Sequence, residues 1–175
     1  MKRKMDFTLM EDDYRKVIFR FYPRQTFVHG FEIDYCPKTW EEVYKVYYSF
    51  AIIQYHKDDN GNIETESADR LLYMHCDECS QIPNLKEIIE YIMNNDDYVY
   101  DYPTIGQPAI DWKISKRKGV YEWKDNEPYE YYNFEMFDNY LNVGYKFTLD
   151  RKQVEKFCKY LDKINQYALE HSVPI

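Results

Sequence analysis

The chain has 175 residues and a net charge of −8, and 45% of its residues are hydrophobic against 31% that are charged. This length and composition predict one globular domain and exclude a disordered chain. Residues 26–105 carry sixteen acidic and five basic side chains. That acidic centre excludes the basic stripe that most nucleic-acid-binding proteins need, so direct binding of nucleic acid is not expected.

The aromatic content sets the character of the predicted core. With 20 Tyr, 10 Phe and 3 Trp, rings must supply much of the buried area, and many Tyr hydroxyls must reach water or a partner. Lys, Asn, Ile and Tyr are abundant while Gly and Ala are scarce, which is the usage of an AT-rich genome such as that of a low-GC bacterium or its mobile elements. No apolar run is long enough for a signal peptide or a membrane span, so a cytoplasmic protein with reduced cysteines is expected.

The first part of the chain is predicted to form strands. Period-two alternation predicts strands over residues 16–22 and 27–35, paired with each other across a short polar link. Thr39 and Glu42 have the spacing of a capping box, which indicates a helical turn at residues 39–43.

A hairpin is predicted next. Alternating residues over 45–56 and 69–76 indicate two strands, and Asn60-Gly61 between them is the strongest short hairpin signal in the sequence. The second strand runs into "MHCDEC", where Cys76 and Cys79 have the spacing of half a zinc site. No second CxxC pair follows, so the frayed end of a strand is the favoured interpretation. A small zinc-binding module that uses these two cysteines is kept as an alternative.

Two helices are predicted from apolar residues at helical spacing. The first covers residues of about 84–95, with Asn84 and Glu87 as its capping box. The second covers about 150–171, with Asp150 as its cap and Gln153 at the third helical position. Its apolar stripe consists of Val154, Phe157, Cys158, Leu161, Ile164 and Ala168.

The region between the helices is predicted to return to strands, over residues 109–115, 119–124 and 143–149. The basic cluster at 113–119 is interpreted as a charged hairpin turn, and 129–137 fits a strand or a helix equally well.

Together these elements predict an α+β fold with an antiparallel sheet or sheets on which the two main helices pack. Residues 1–175 are predicted to form a single domain, with an internal seam at 96–108, where two prolines and a glycine interrupt the pattern.

The segment "NNDDYVYDYP" is the candidate binding site. It is predicted to be a loop, and a loop has no folding reason to alternate acids with three tyrosines. Tyr is enriched at protein interfaces, so the segment is predicted to bind a protein partner with a basic surface. The predicted partner-binding residues are Asp96, Asp97, Tyr98, Tyr100, Asp101 and Tyr102.

The sequence therefore favours a non-enzymatic protein-binding module. In the AT-rich context it suggests an inhibitor or nucleic-acid mimic from a phage or mobile element, of the anti-defence type. An enzyme with an unrecognised carboxylate-based site is a further alternative. No P-loop, nucleophile elbow or dinucleotide fingerprint occurs, so no catalytic, cofactor or metal residues are predicted.

Overall fold

The computed structural model of the protein describes residues 5–22, 26–28, 34–35, 42–43, 49–75, 82–96, 99–102, 110–138 and 142–174. Strands and helices follow one another along these residues as β1 (Met5–Glu11), β2 (Arg15–Tyr22), β3 (Thr26–Val28), β4 (Asp34–Tyr35), β5 (Glu42–Val43), β6 (Ser49–Lys57), β7 (Ile63–His75), α1 (Ile82–Asn94), β8 (Val99–Tyr102), β9 (Ile110–Tyr121), β10 (Glu127–Asp138), β11 (Val143–Asp150), α2 (Arg151–His171) and β12 (Ser172–Pro174).

The strands form two antiparallel sheets of four strands each, in the orders β1-β2-β6-β7 and β11-β10-β9-β8. Two smaller pairs accompany them: β3 with β12, which is parallel, and β4 with β5, which is antiparallel. Two helices packed with antiparallel sheets confirm the predicted α+β class.

The chain divides into two compact units. One consists of Met1–Leu85 and Tyr160–Ile175, and the other of Lys86–Lys159. The prediction of a single domain with a seam at 96–108 stays a prediction, because residues 103–109 lie outside the described residues.

In the first unit, β2 lies at the centre of its sheet, paired with β1 on one side and β6 on the other. Both of its faces are buried, with Val17 and Phe19 on one and Ile18 and Arg20 on the other. The Arg20 guanidinium is paired with Asp6 by two hydrogen bonds of 2.7 and 2.8 Å. A buried charge held in this bidentate way avoids the desolvation cost of an unpaired one.

In the second unit, the core depends on the alternation of β10. Tyr132, Phe134 and Met136 are buried on one face of the strand. The Phe134 ring stacks on Phe147 at 4.8 Å and meets the edge of Phe157 from α2 at 5.8 Å. The segment at 129–137, ambiguous in sequence, is therefore a strand, because its period of two matches a half-buried sheet.

Both predicted helices are present, with small differences at their ends. At the start of α2, the Gln153 amide donates to Asp150 Oδ1 at 2.8 Å, and the Asp150 amide donates to Gln153 Oε1 at 2.9 Å. This reciprocal pair confirms the predicted cap. The predicted cap of α1 is wrong: the helix begins at Ile82, so Asn84 lies within its first turn. No helix among the described residues is long and apolar enough to cross a membrane.

The Asn60-Gly61 hairpin is confirmed. It joins β6 to β7, and Gly61 takes a φ of 80° that suits glycine. The Asp58 carboxylate accepts hydrogen bonds from the amides of Asn60 and Asn62, at 2.9 and 2.8 Å. These bonds within the chain make the acidic tip a stable turn.

The strand predicted at 16–22 is present as β2, but its predicted pairing is wrong. Residues 16–22 and 27–35 do not pair with each other: β3 pairs in parallel with β12, and β4 pairs with β5. The reason is that β2 uses both of its edges for β1 and β6, and β1 was not predicted. Glu42 and Val43 of the predicted helical turn form β5, while residues 39–41 lie outside the described residues.

The predicted turn at 113–119 is also wrong, since these residues lie inside the continuous strand β9. The strand tolerates its basic cluster because alternate side chains go to opposite faces. Lys116 and Lys118 reach Asp96, while Arg117 lies on the other face. The turn comes at residues 122–126 instead, so the strand predicted at 119–124 ends at Tyr121.

Candidate functional site

A row of aromatic side chains lies on the hairpin of β9 and β10. We call this surface the aromatic face and define it by Tyr121, Trp123, Tyr129 and Tyr131. The Trp123 side chain is 76% exposed, and the three Tyr side chains are half-buried. The exposed Trp123 ring contributes little to the core, and an exposed ring beside other aromatic rings indicates an interaction site.

The strand register gathers these rings on one side of the sheet. Tyr131 pairs with Arg117, and Tyr129 pairs with Gly119. Because Gly119 has no side chain, the Tyr129 ring lies directly over its backbone: a Cβ there would be 2.6 Å from the Tyr129 hydroxyl oxygen. Gly119 is therefore the residue that lets the row form, and not the turn residue that its sequence context indicated.

The rings contact one another in sequence along the row. Centroid distances are 5.5 Å from Trp123 to Tyr121, 4.6 Å from Tyr121 to Tyr129, and 5.8 Å from Tyr129 to Tyr131. The Tyr121 hydroxyl donates to the Tyr131 hydroxyl at 2.9 Å. This hydrogen bond, together with partial burial, raises the pKa of Tyr121 to about 12. The row is thus a pre-organised, uncharged surface at neutral pH.

The turn between the strands presents Trp123 and Lys124. Asp125 and Asn126 have φ angles of 49° and 58°, a left-handed conformation that Asp and Asn tolerate better than most residues. The Lys124 ammonium lies 5.0 Å from the centroid of Trp123 and 5.6 Å from that of Tyr121. Both distances are within the range of cation–π attraction.

The aromatic face lies on a two-stranded extension of the second sheet. Among the described residues, β8 pairs with β9 only at 112–115, and β11 pairs with β10 only at 131–138. The rest of the hairpin extends beyond both neighbours. It carries an open groove of about 450 Å³, lined by Arg117, Val120, Tyr121, Glu122, Trp123, Tyr129 and Tyr131.

Asp96, the first of the predicted partner-binding residues, is engaged within the chain. Its carboxylate accepts from Lys116 at 2.9 Å and also contacts Lys118. These two ammonium groups, Lys118 foremost, lower the pKa of Asp96 to about 2. Lys116, whose side chain is 3% exposed, also donates to the Met93 carbonyl at 3.1 Å. Asp96 therefore links the end of α1 to β9.

The other predicted residues fall in two groups. Asp97 and Tyr98 lie outside the described residues. Tyr100, Asp101 and Tyr102 belong to the edge strand β8, opposite Ile114, Lys113 and Trp112. The segment predicted to be a loop is therefore a strand at 99–102, which supplies a folding reason for its alternation. Its role in partner binding stays a prediction.

The alternative zinc site also stays a prediction, because Cys76 and Cys79 lie outside the described residues. The strand that leads into "MHCDEC" is present and ends at His75, which pairs with Ser49. No group of three or more His, Cys, Asp or Glu residues in the described part of the chain could hold a metal ion. The fourth cysteine of the sequence, Cys158, is buried in α2.

A polar network lies on the core side of the same hairpin. The Tyr132 hydroxyl donates to Glu130, and Arg151 donates to the same carboxylate at 2.9 Å. Burial, followed by the bond to Glu130, raises the pKa of Tyr132 well above its ordinary value. Because the Tyr132 side chain is 0% exposed, this network is placed to stabilise the hairpin and not to meet a substrate.

Sequence reasoning missed the aromatic face because it divided β9 in two. With a turn assigned at 113–119, Tyr121 could not be placed opposite Glu127 or beside Tyr129. One signal was present: "DNEP" at 125–128 separates two runs of alternating aromatic residues. Asp-Asn before Glu-Pro is a strong turn signal, and extending the alternation from both sides predicts the observed hairpin.

The aromatic face is thus a row of one exposed and three half-buried rings, bordered by Arg117 at one end and by the acidic turn at the other. In comparisons with known proteins, no family model, no curated protein and no solved structure matches the chain.

Proposed function

We propose that this protein is a non-enzymatic binding module that presents the Tyr-rich aromatic face, with the acidic residues beside it, to a basic surface on another protein. The observation that carries the proposal is Trp123, which is 76% exposed at the end of a row of three contacting tyrosines. Trp and Tyr are enriched among the few residues near the centre of a protein interface that contribute most of its binding free energy.

The charges around the aromatic face support a basic partner. Glu122, Asp125 and Glu127 are exposed in and beside the turn, where Lys124 is the cation, while the cation Arg117 lies at the other end of the face. Carboxylates on the rim of an interface accelerate encounter with a positively charged surface and select against acidic partners. The rings add to this preference, because the faces of Trp and Tyr attract Lys and Arg side chains.

The shape of the surface supports a protein partner and not a small ligand. Pockets for small molecules enclose most of the ligand surface. The groove on the aromatic face is open, and it lies on a two-stranded extension whose sides are accessible in the described residues. Such an extension can be inserted into a cleft of a partner.

A nucleic-acid mimic is the finer version of this proposal that the composition favours. Carboxylates spaced by aromatic rings can occupy a groove that normally binds phosphates and bases, since they offer similar charge and stacking. The AT-rich residue usage supports an origin in a phage or mobile element, and hence an inhibitor of a host nucleic-acid enzyme. The acidic segment at 96–102 is a second candidate contact, although Asp96 is already paired.

The test compares two exposed aromatic residues. Trp123 is 76% exposed in the aromatic face, and Tyr14 is 79% exposed in the loop between β1 and β2. Wild type, Trp123→Ala and Tyr14→Ala are immobilised and exposed to a low-GC bacterial lysate in about 0.1 M salt. We expect one protein to be captured by wild type and by Tyr14→Ala. Its affinity for Trp123→Ala should be at least tenfold weaker, which is the loss typical of an interface hot spot.

The captured protein is then purified, and its dissociation constants for the three forms are measured by calorimetry. Urea unfolding of each variant shows that the fold is retained. Equal affinity of the partner for wild type and Trp123→Ala would remove the aromatic face as the docking surface. If Tyr14→Ala alone loses the partner, the docking surface lies on the first sheet instead.

A further inference from the structure

The Lys124 side chain occupies a site built from three other residues. Its ammonium lies on the rings of Trp123 and Tyr121, at 5.0 and 5.6 Å from their centroids, and 3.8 Å from the carboxylate of Glu127. Two aromatic rings and one carboxylate around an ammonium group is the arrangement by which proteins recognise lysine and its methylated forms. The occupant here comes from the same chain.

The occupant can leave this site without disturbing the core. The Lys124 side chain is 48% exposed, and Glu127 is 62% exposed. Lys124 also lies in the turn, outside both strands. Its flexible four-carbon stem lets the ammonium move into solvent while Trp123 and Tyr121 keep their contact at 5.5 Å.

The charges around the groove favour a cation at this end of the aromatic face. Glu127 contacts Lys124, and Glu122 and Asp125 are exposed in the same turn. Arg117 lines the opposite end of the groove, and its guanidinium has no hydrogen-bond or ion-pair partner in the described part of the chain. A cation from a partner is therefore attracted to the turn and repelled from the Arg117 end.

We propose that Tyr121, Trp123 and Glu127 form an ammonium-binding site that Lys124 fills in the free protein and that a lysine side chain of the basic partner takes over in the complex. The proposal rests on the proposed function and adds the chemical group that is recognised. Lys124 is then an internal competitor. The partner's lysine binds only when Lys124 has left the site, so the apparent affinity equals the intrinsic affinity multiplied by the fraction of time that the site is empty.

The test removes the competitor and uses a defined probe, an acetylated and amidated octalysine peptide, in about 0.1 M salt. Lys124→Gln empties the site, and Lys156→Gln, an exposed position on α2, removes the same charge elsewhere. We expect Lys124→Gln to bind octalysine about two- to fivefold more tightly than Lys156→Gln does, which is the factor that an exposed cation–π contact contributes.

A spectroscopic signal locates the binding. The indole N–H resonance of Trp123, assigned by its loss in Trp123→Phe, should shift during the titration of octalysine. It should shift at lower peptide concentration in Lys124→Gln than in Lys156→Gln. Equal affinities of the two variants, or an indole resonance that does not move, would overturn the proposal.

The two proposals fail differently. If Trp123→Ala loses the captured partner while Lys124→Gln and Lys156→Gln bind octalysine equally, the aromatic face is the docking surface and the ammonium site is wrong. If Trp123→Ala keeps the partner, the docking surface itself is wrong, whatever octalysine does. A variant Glu127→Gln should weaken octalysine binding to the Lys124→Gln background, since it removes the carboxylate of the site.

Discussion

At the scale of single residues, Gly119 and Trp123 contribute to the aromatic face in different ways. Gly119 contributes nothing but the absence of a side chain, which leaves room for the Tyr129 ring over the strand. Trp123 contributes a large ring that the fold leaves 76% exposed. The first residue positions the row, and the second is its most exposed ring, so the two contributions can be separated by mutation.

Gly119→Ala should weaken partner binding without unfolding the protein. The new Cβ would lie 2.6 and 2.7 Å from the Oη and Cζ atoms of Tyr129, so that ring must move out of the row. Those atoms are at the end of a side chain, so the backbone is not strained, and we expect the free energy of unfolding to change by no more than about 1 kcal/mol. Calorimetry with the captured partner and urea unfolding measure the two effects.

Gly144→Ala is the matched control for this prediction. Gly144 is also a strand glycine beneath a ring, that of Phe137, and it lies in β11, away from the aromatic face. Gly144→Ala should leave partner binding unchanged. If Gly119→Ala binds the partner as tightly as wild type does, the position of the Tyr129 ring does not matter for docking.

At the scale of elements, the ion pairs of Asp96 explain how β9 runs through a basic cluster. Lys116 is nearly buried and reaches both the Asp96 carboxylate and the last turn of α1. Lys118 contacts the same carboxylate. One carboxylate thereby pairs with two lysines of the basic cluster and reduces the repulsion between them. The helix end also gains a donor for its Met93 carbonyl.

The ion pairs of Asp96 with Lys116 and Lys118 should make the free energy of unfolding depend on pH below about pH 4. The pKa of Asp96 is about 2 in the folded protein against an ordinary value of 3.8. A lowered pKa means that the charged form stabilises the fold above about pH 4, and that this contribution is lost as the pH falls toward 2. Wild type should therefore be more stable than Asp96→Asn at pH 6, and the difference should vanish near pH 2, as measured by urea unfolding.

Lys118→Gln provides the control for the pH prediction, because it removes the partner that lowers the Asp96 pKa most. In that background, Asp96→Asn should have a smaller effect at pH 6 than it has in wild type. A difference between wild type and Asp96→Asn that stays constant from pH 6 to pH 2 would show that the pairs do not stabilise the fold.

At the scale of the whole molecule, charge is the property most relevant to a partner. The net charge is −8, yet many acidic side chains are paired within the chain, among them Asp6, Glu11, Asp96 and Glu130. Glu122 and Asp125 differ, since they have no ion-pair partner among the described residues and are exposed beside the aromatic face. The local arrangement, more than the total, therefore determines where a basic surface is attracted.

Partner binding should weaken as salt increases, and these carboxylates should account for much of the effect. Between about 0.1 M and about 1 M salt the Debye length falls from about 10 to about 3 Å. We expect the dissociation constant of the captured partner to rise at least about tenfold over this range. The triple variant Glu122→Gln, Asp125→Asn and Glu127→Gln should bind more weakly at low salt and show a flatter dependence. A dissociation constant that does not change with salt concentration would rule out a basic partner.

The sequence alone determined the features that depend on neighbouring residues. The capping box of Asp150 and Gln153 and the turn at Asn60-Gly61 formed where they were predicted, because each satisfies its hydrogen bonds within a few residues. In the predicted apolar stripe of α2, the residues from Val154 to Ile164 are buried. The α+β class follows from the same local patterns.

Only the tertiary structure decided which strands are neighbours and which side chains meet. The pairing of β3 with β12 joins residues from opposite ends of the chain, and Asp96 meets Lys116 and Lys118 across about twenty positions. The aromatic face depends on the register that sets Tyr129 over Gly119. These contacts are chosen by packing across the sheet, where the free energy depends on partners that no short window of sequence contains.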